Sequence, residues 1–415
     1  MENGIIIKLE GRITVENAGE VETRIHEAIG AATGTSAAGA QAVAGTSVAD
    51  TQAVAGTSAA GAPGDDTAAA EPPVIDASAL DYISSAGLRV LMKLRKQYNK
   101  PLIINNVSSD VYEIFETTGF TNLFDVRRKL REISLDGCEI IGTGFDGTVY
   151  RLDDETIVKM YASADALDKI RHEKEMAKAA FVKGIPTAIS YGIVQCDGLY
   201  GSTFEIINSK TYNDMIRNEP ERADEIIENY VRFLKSVHET EMDPGTIPDK
   251  KEAYIGYLDL IRDFIPADKL AFLSDELKNV PDSLQLVHGD MQMKNVMVMD
   301  GEPILIDMES IGTGVPEFDI GALYATYYLF EEDDPGNAMS FLGIPTEMTT
   351  HIWEGIEGRY YAGLDEATRA ERLRRAKALA YILFLYYMTF MPDDELKETR
   401  IRRTCEHIDE LRSEG

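Results

Sequence analysis

Residues 286–310 read LVHGDMQMKNVMVMDGEPILIDMES, and two short runs within them, Val296 to Met299 and Glu302 to Ile306, are separated by Asp300-Gly301. An Asp-Gly pair between two runs of strand-forming residues signals a two-residue hairpin, because both central residues must take positive φ. In the register such a turn imposes, Met299 faces Glu302 and Asn295 faces Ile306, which puts Asp307 beside Asn295 at the open end. A carboxylate and an amide oxygen meeting there suit a hard cation that keeps phosphate oxygens as its other ligands, so Mg²⁺ is expected on Asn295 and Asp307. Asp290, five residues before Asn295 on the loop entering the hairpin, is placed to orient an acceptor hydroxyl or take its proton. His288 and Gly289 shape that loop. Taken singly, these are also what turn carboxylates on an acidic protein look like.

Upstream, residues 139–152 read EIIGTGFDGTVYRL, in which Gly142, Gly144 and Gly147 precede Val149 in the spacing G-x-G-x-x-G-x-V. Strands on both sides, with no helix opening from the turn, fit a loop that covers nucleotide phosphates better than a dinucleotide fingerprint. Alone, it reads more readily as a plain glycine turn. Lys159 lies in the apolar run Thr156 to Tyr161, where it either faces solvent on an edge strand or contacts the α- and β-phosphates of a nucleotide, held by a helical glutamate. Glu173 is the expected partner and Glu175 the substitute. Four such motifs in this order leave little room for coincidence.

These motifs together resemble the aminoglycoside phosphotransferase and choline kinase superfamily over residues 137–415, with H-G-D-x-x-x-x-N complete and the metal aspartate ending ILID. The resemblance implies a bilobal protein-kinase-like fold, a small lobe of about residues 137–207 and a large lobe of about 208–415. It implies ATP and Mg²⁺ as cofactors, Asp290 as the catalytic residue, and a nucleotide site of Gly142, Gly144, Gly147, Val149, Lys159, Glu173, Glu205 and Ile207. Phe204 to Ile207 would form the hinge, and Asp319 in PEFDIG would tie the catalytic loop to the large lobe without touching substrate. Gly289 stands where protein kinases put arginine, and residues 307–319 leave no room for a long activation segment. A hydroxyl on a small molecule is therefore the expected acceptor.

The first 133 residues follow a different plan. Ile5 to Leu9 and Val74-Ile75 read as strands, Ala18, Val21, Ile25 and Ala28 recur at helical spacing, and Leu102 to Asn105 gives a further strand before a helix carrying Val111, Ile114 and Phe115. Ser84 and Ser85 stand at the start of a helix running through Leu94. VIDASALDYISSAGLRVLMKLRK and VYEIFETTGFTNLFDV, residues 74–96 and 111–126, resemble the STAS domain of bacterial anti-sigma factor antagonists. The resemblance implies an anti-sigma or other signalling partner and a phosphorylated switch serine, here Ser85. Ser84 occupies the place where an aspartate commonly precedes that serine, and is the second candidate. From the residues alone, a serine there is simply a helix cap. Between the flanks, residues 34–66 repeat with a period of eleven (GTSAAGAQAVA, GTSVADTQAVA, GTSAAGAPGDD), and with no large apolar side chain to bury, residues 31–71 are expected to form a disordered insert.

The fold class expected is thus α/β and α+β in two domains, 1–133 and 137–415. With 71 acidic against 41 basic residues the formal charge is −30, which disfavours contact with nucleic acid or an anionic membrane. Of these, 18 acidic and 12 basic residues lie in 1–136, leaving 53 and 29 beyond. That excess suits a cationic acceptor such as an amino sugar or choline, and equally it serves solubility. Three separated cysteines fit neither a disulfide framework nor a zinc cluster. No secretory signal opens the chain, and the apolar run Ala378 to Met391 is too short to span a bilayer, so a bacterial cytoplasmic location is expected. The competing reading is a signalling scaffold: an anti-sigma antagonist whose kinase-like half binds nucleotide or ligand without turnover, or phosphorylates a protein serine.

Overall fold

The computed structural model describes residues 5–33, 41–44, 51–54, 72–98, 100–143, 147–163, 166–206 and 209–414. The chain divides into two compact units, residues 1–132 and 133–415.

In the first unit the elements run β1 (Ile6–Ile13), α1 (Ala18–Thr33), β2 (Gln41–Ala44), β3 (Thr51–Val54), β4 (Val74–Ile83), α2 (Ser85–Arg95), β5 (Ile103–Val107), α3 (Ser109–Thr117) and β6 (Asp125–Arg128). The sheet order is β2-β3-β1-β4-β5-β6, with β1, β4, β5 and β6 parallel and β3 antiparallel to β1. Ile7, Leu9 and Ile13 of β1, Ile75, Leu80 and Ile83 of β4 and Ile104 of β5 bury one continuous core with Val21, Ile25, Leu91 and Phe115 from the helices.

One feature of this unit differs from the sequence reading. Instead of the short Val74-Ile75 strand, β4 continues for ten residues. Its buried side chains Ile75, Ala77, Leu80 and Ile83 fall at uneven spacing because the ladder to β1 shifts register at Lys8/Glu10 and Gly11/Arg12, which breaks the period of two. The expected disordered insert lies for most of its length outside the described residues. Where it is described, residues 31–33 end α1, and 41–44 and 51–54 form the antiparallel pair β2-β3 on the free edge of β1. A sheet edge offers backbone hydrogen bonds that require no apolar side chain.

Helix α2 starts where the serines predict. Ser84 is the N-cap, its hydroxyl accepting from Gly87 N at 3.4 Å, and it is buried, whereas Ser85 is exposed on the first turn. A Cβ at Gly87 would lie 2.6 Å from Ile13 Cγ2, so glycine lets this first turn press against β1.

The second unit opens with β7 (Glu139–Thr143), β8 (Gly147–Arg151), β9 (Thr156–Tyr161), α4 (Leu167–Val182), β10 (Gly192–Cys196) and β11 (Leu199–Glu205), an antiparallel sheet in the order β10-β11-β9-β8-β7. There follow α5 (Tyr212–Asn218), α6 (Ala223–His238), α7 (Lys250–Ile261) and α8 (Ala267–Lys278). After them come the hairpin β12 (Val296–Met299) and β13 (Glu302–Leu305), α9 (Glu317–Tyr324), and long helices that include Glu366–Met388 and Glu395–Ser413. The run from Ala378 is packed inside the helix Glu366–Met388, with Ala378 to Leu385 buried. Among the described residues no helix is long and apolar enough to cross a membrane.

Candidate active site

The hairpin forms in the expected register: Met299 pairs with Glu302 and Val296 with Leu305, across a turn in which Asp300 and Gly301 both have positive φ. Ile306 N donates to Asn295 O at 3.0 Å, closing the open end, and Asp307 follows with φ +61. Asp is among the residues that tolerate this left-handed conformation, which here turns the chain sharply out of the strand.

Two side-chain amides fix Asp290. Gln292 Nε2 donates to both carboxylate oxygens at 3.0 Å, and Asn295 Nδ2 donates to Asp290 Oδ2 at 2.8 Å and to its carbonyl at 2.9 Å. Burial pushes the Asp290 carboxyl above the usual range and the nearby Asp307 charge adds to this, against the hydrogen bonds of Gln292 and Asn295 and the charge of His288. Beneath the loop, the fully buried Asp319 accepts from the backbone N–H groups of His288 (2.8 Å) and Gly289 and from His238 Nε2 (2.9 Å), whose Nδ1 faces the Tyr360 hydroxyl at 2.7 Å. Burial alone would raise the Asp319 carboxyl, yet His238, His288 and these N–H groups hold it below the usual range. Tyr327 accepts from Met293 N at 3.0 Å and Tyr230 donates to the Met291 carbonyl, so the backbone between Asp290 and Asn295 is pinned from below.

On the opposite wall, Lys159 reaches from the middle of β9 to Asp307 Oδ1 at 3.0 Å and Glu173 Oε1 at 3.6 Å. Glu173 is buried on α4 and also accepts from the Tyr161 hydroxyl, whereas Glu175 is exposed and takes no part. Burial raises the Glu173 carboxyl despite its lysine and tyrosine partners. Lys169 of α4 pairs with Glu309 at 2.9 Å, a second tie between that helix and the segment after Asp307.

Lys159, Glu173 and Asp307 line a cavity of about 300 Å³ together with Ile141, Val149, Phe204, Glu205, Ile206, Asn295 and Met308. The structure thus brings Val149, Lys159, Glu173, Glu205, Asn295 and Asp307 to one cavity, with Asp290 hydrogen-bonded at its edge. Gly142 is the penultimate residue of β7, and Gly147 starts β8, where an added Cβ would run into the Met160 carbonyl. Gly144 and Ile207 lie outside the described residues. Both donations from Asn295 Nδ2 go to Asp290, which leaves Asn295 Oδ1 with the Asp307 carboxylate as a hard oxygen pair; this donor set fits Mg²⁺ accompanied by phosphate oxygens. The sequence reading missed Tyr161 and Gln292. A glutamine two residues after the aspartate carries no periodic signal, although H-G-D-x-Q places it within reach.

Residues 137–342 match the family model of the phosphotransferase enzyme family and residues 2–133 that of the STAS domain. Over 56 residues the chain is 43% identical to BtrV of Bordetella bronchiseptica, provisionally named an anti-sigma factor antagonist; this covers 13% of the chain and about half, 48%, of that relative. Among solved structures, the fold is similar to a thermostable mutant of aminoglycoside phosphotransferase APH(4)-Ia (TM-score 0.47, 13% identity, 67% of this chain and 94% of that one). It is also similar to a choline/ethanolamine kinase family protein from Mesorhizobium loti (TM-score 0.44, 14% identity, 66% and 87%).

Proposed function

We propose that this chain, in which a STAS domain precedes a domain of the phosphotransferase enzyme family, transfers the γ-phosphoryl group of ATP to a hydroxyl of a small molecule. The observation that carries this reading is the convergence of Lys159, Glu173 and Asp307 with the Asp290–Asn295 pair at one cavity. Lys159 offers its ammonium to the nucleotide phosphates, and Glu173 keeps it from following Asp307 out of the site. Glu205 and Ile206 lie where backbone groups would meet the base. Asp290, gripped by Gln292 and Asn295, presents one carboxylate edge to the acceptor hydroxyl and receives or directs its proton as the oxygen attacks phosphorus. Mg²⁺ on Asn295 and Asp307 would neutralise phosphate charge.

Only 12 residues lead from Asp307 to Asp319, and the first of them form a turn and a short strand leading into α9. This favours a small acceptor over a peptide, and the acid excess of the domain favours a cationic one. The STAS domain supplies regulation or docking, with an anti-sigma or other signalling protein as partner and Ser85 as its exposed phosphosite. A screen of Mg–ATP consumption over amino sugars, cholines and ketosamines tests the reading: acceptor-dependent ADP release supports it, and none with any acceptor contradicts it.

A further inference from the structure

One buried cation has no part in the scheme above. Lys250 is the first residue of α7; residues 248–249 run beside 312–313, with Thr313 N donating to the Pro248 carbonyl at 2.8 Å. From that anchor its side chain turns inward, whereas Lys251 turns outward to the Val280 carbonyl at 2.7 Å. Three glycines wall the lysine stem in sequence. A Cβ at Gly314 would stand 3.4 Å from Lys250 Cβ, one at Gly312 would stand 3.0 and 3.3 Å from Cγ and Cδ, and one at Gly289 would stand 2.8 Å from Cε and overlap Nζ. The ammonium therefore ends against the residue before Asp290, where the Ser310 carbonyl also closes in, and the carboxylates its charge faces are Asp319 and Asp290.

Stability does not account for this placement. Removing an ammonium from water costs several kcal/mol, and a positive charge in the first turn of a helix opposes the helix dipole. Asp319 and Asp290 already accept hydrogen bonds from His238, two backbone N–H groups, Gln292 and Asn295. Burial holds the lysine below its usual range, against the pull of those two carboxylates.

We infer that Lys250 is a positioning residue of the phosphotransfer site: delivered through a glycine-walled slot, its ammonium is the fixed positive charge that holds the Gly289–Asp290 loop in its working place against the segment after Asp307. The role rests on the phosphotransfer reading and acts through Asp290, not on the nucleotide. It also accounts for the glycine at 289, since a side chain there and Lys250 would occupy the same space.

The test uses the full chain with Lys250→Met, which keeps the stem and removes the charge, and Lys250→Ala, which leaves a slot the size of propylammonium. Lys250→Met is expected to melt no lower than wild type and to bind Mg–ADP within about threefold, while losing roughly 10- to 100-fold in kcat, the scale of a misplaced catalytic group. Propylammonium restores part of the Lys250→Ala rate, and 1-propanol does not. A Lys250→Met kcat within about threefold of wild type overturns the inference. So does a loss of kcat that tracks equal losses of melting temperature and Mg–ADP affinity and that no amine restores. Failure of the wild-type chain itself to turn over any acceptor would instead contradict the phosphotransfer reading and remove this inference with it.

Discussion

Lys159 stands 3.0 Å from Asp307 and 3.6 Å from Glu173, so one ammonium is shared by two carboxylates from separate segments. On the proposed reading the pair with Asp307 joins the cation meant for phosphate to the anion meant for the metal, and entering Mg–ATP would separate them, each taking its own ligand. Lys159→Met is expected to weaken Mg–ATP binding by about 10- to 100-fold, the worth of one charge-assisted hydrogen bond. Because Glu173 is buried, losing its ammonium partner should also lower the variant's unliganded melting temperature, to which the more exposed Asp307 side of the pair adds little. Calorimetric titration checks this, and an unchanged dissociation constant would contradict the phosphate role.

Asp307→Asn and Asp290→Asn should separate binding from turnover. The first removes the only carboxylate of the expected metal pair and should abolish the Mg²⁺ dependence of ATP affinity. The second leaves that pair in place, so Mg–ATP affinity should stay within about threefold while kcat falls by at least about 10²-fold, as expected for loss of a positioned acid–base group. Equal loss of nucleotide affinity in both variants would show that Asp290 does not act on the acceptor.

Asp319 should contribute to the acid dependence of stability. Its folded carboxyl is held below the usual range, so it binds protons less readily folded than unfolded. The stabilisation is in place above the unfolded value, near 3.9, and is lost as pH falls through the lower folded value. Asp319→Asn should cost about 3–5 kcal/mol at neutral pH, because it leaves His238 and two backbone N–H groups facing a poorer partner. The difference from wild type should shrink as the solution is acidified. Urea unfolding at several pH values measures it, and a constant difference down to strong acid would refute the assignment.

The two serines at the head of α2 should respond oppositely. Ser84→Ala should destabilise the first unit by about 1 kcal/mol through loss of the cap, and Ser85→Ala should be nearly neutral. Phosphate should be accepted at Ser85, which is exposed at a helix N-terminus, and not at buried Ser84. After incubation of active protein with Mg–ATP alone, mass spectrometry should find both unmodified, since the short segment 307–319 gives a peptide little to lie on. Phosphate on Ser85 that disappears in Asp290→Asn would show instead that the chain modifies itself.

The hairpin of residues 296–305 was legible because an Asp-Gly turn dictates its own register, and the register in turn placed Asn295 against Ile306 and Asp307 just beyond. Glu173 could be distinguished from Glu175 only by the structure, since both lie on one helix within reach and burial decides between them. Strand β4 was cut short in the reading because two register shifts interrupt its alternation. Lys250 gave no signal at all: it lies 40 residues before Asp290, in no motif, and only the approach of three glycines from other segments defines its slot. Strands β2 and β3 were hidden for the same kind of reason, being held by backbone pairing to an edge that lies elsewhere in the sequence.

Acceptor-dependent release of ADP from Mg–ATP, followed by ³¹P NMR with wild type and Asp290→Asn in parallel, tests the central claim most directly. The account predicts a new phosphomonoester signal that grows with ADP in the wild-type sample, requires one small hydroxylated acceptor, and is absent from Asp290→Asn although that variant still binds Mg–ATP. An equal phosphomonoester signal from both proteins, or none from wild type with any acceptor, would contradict it.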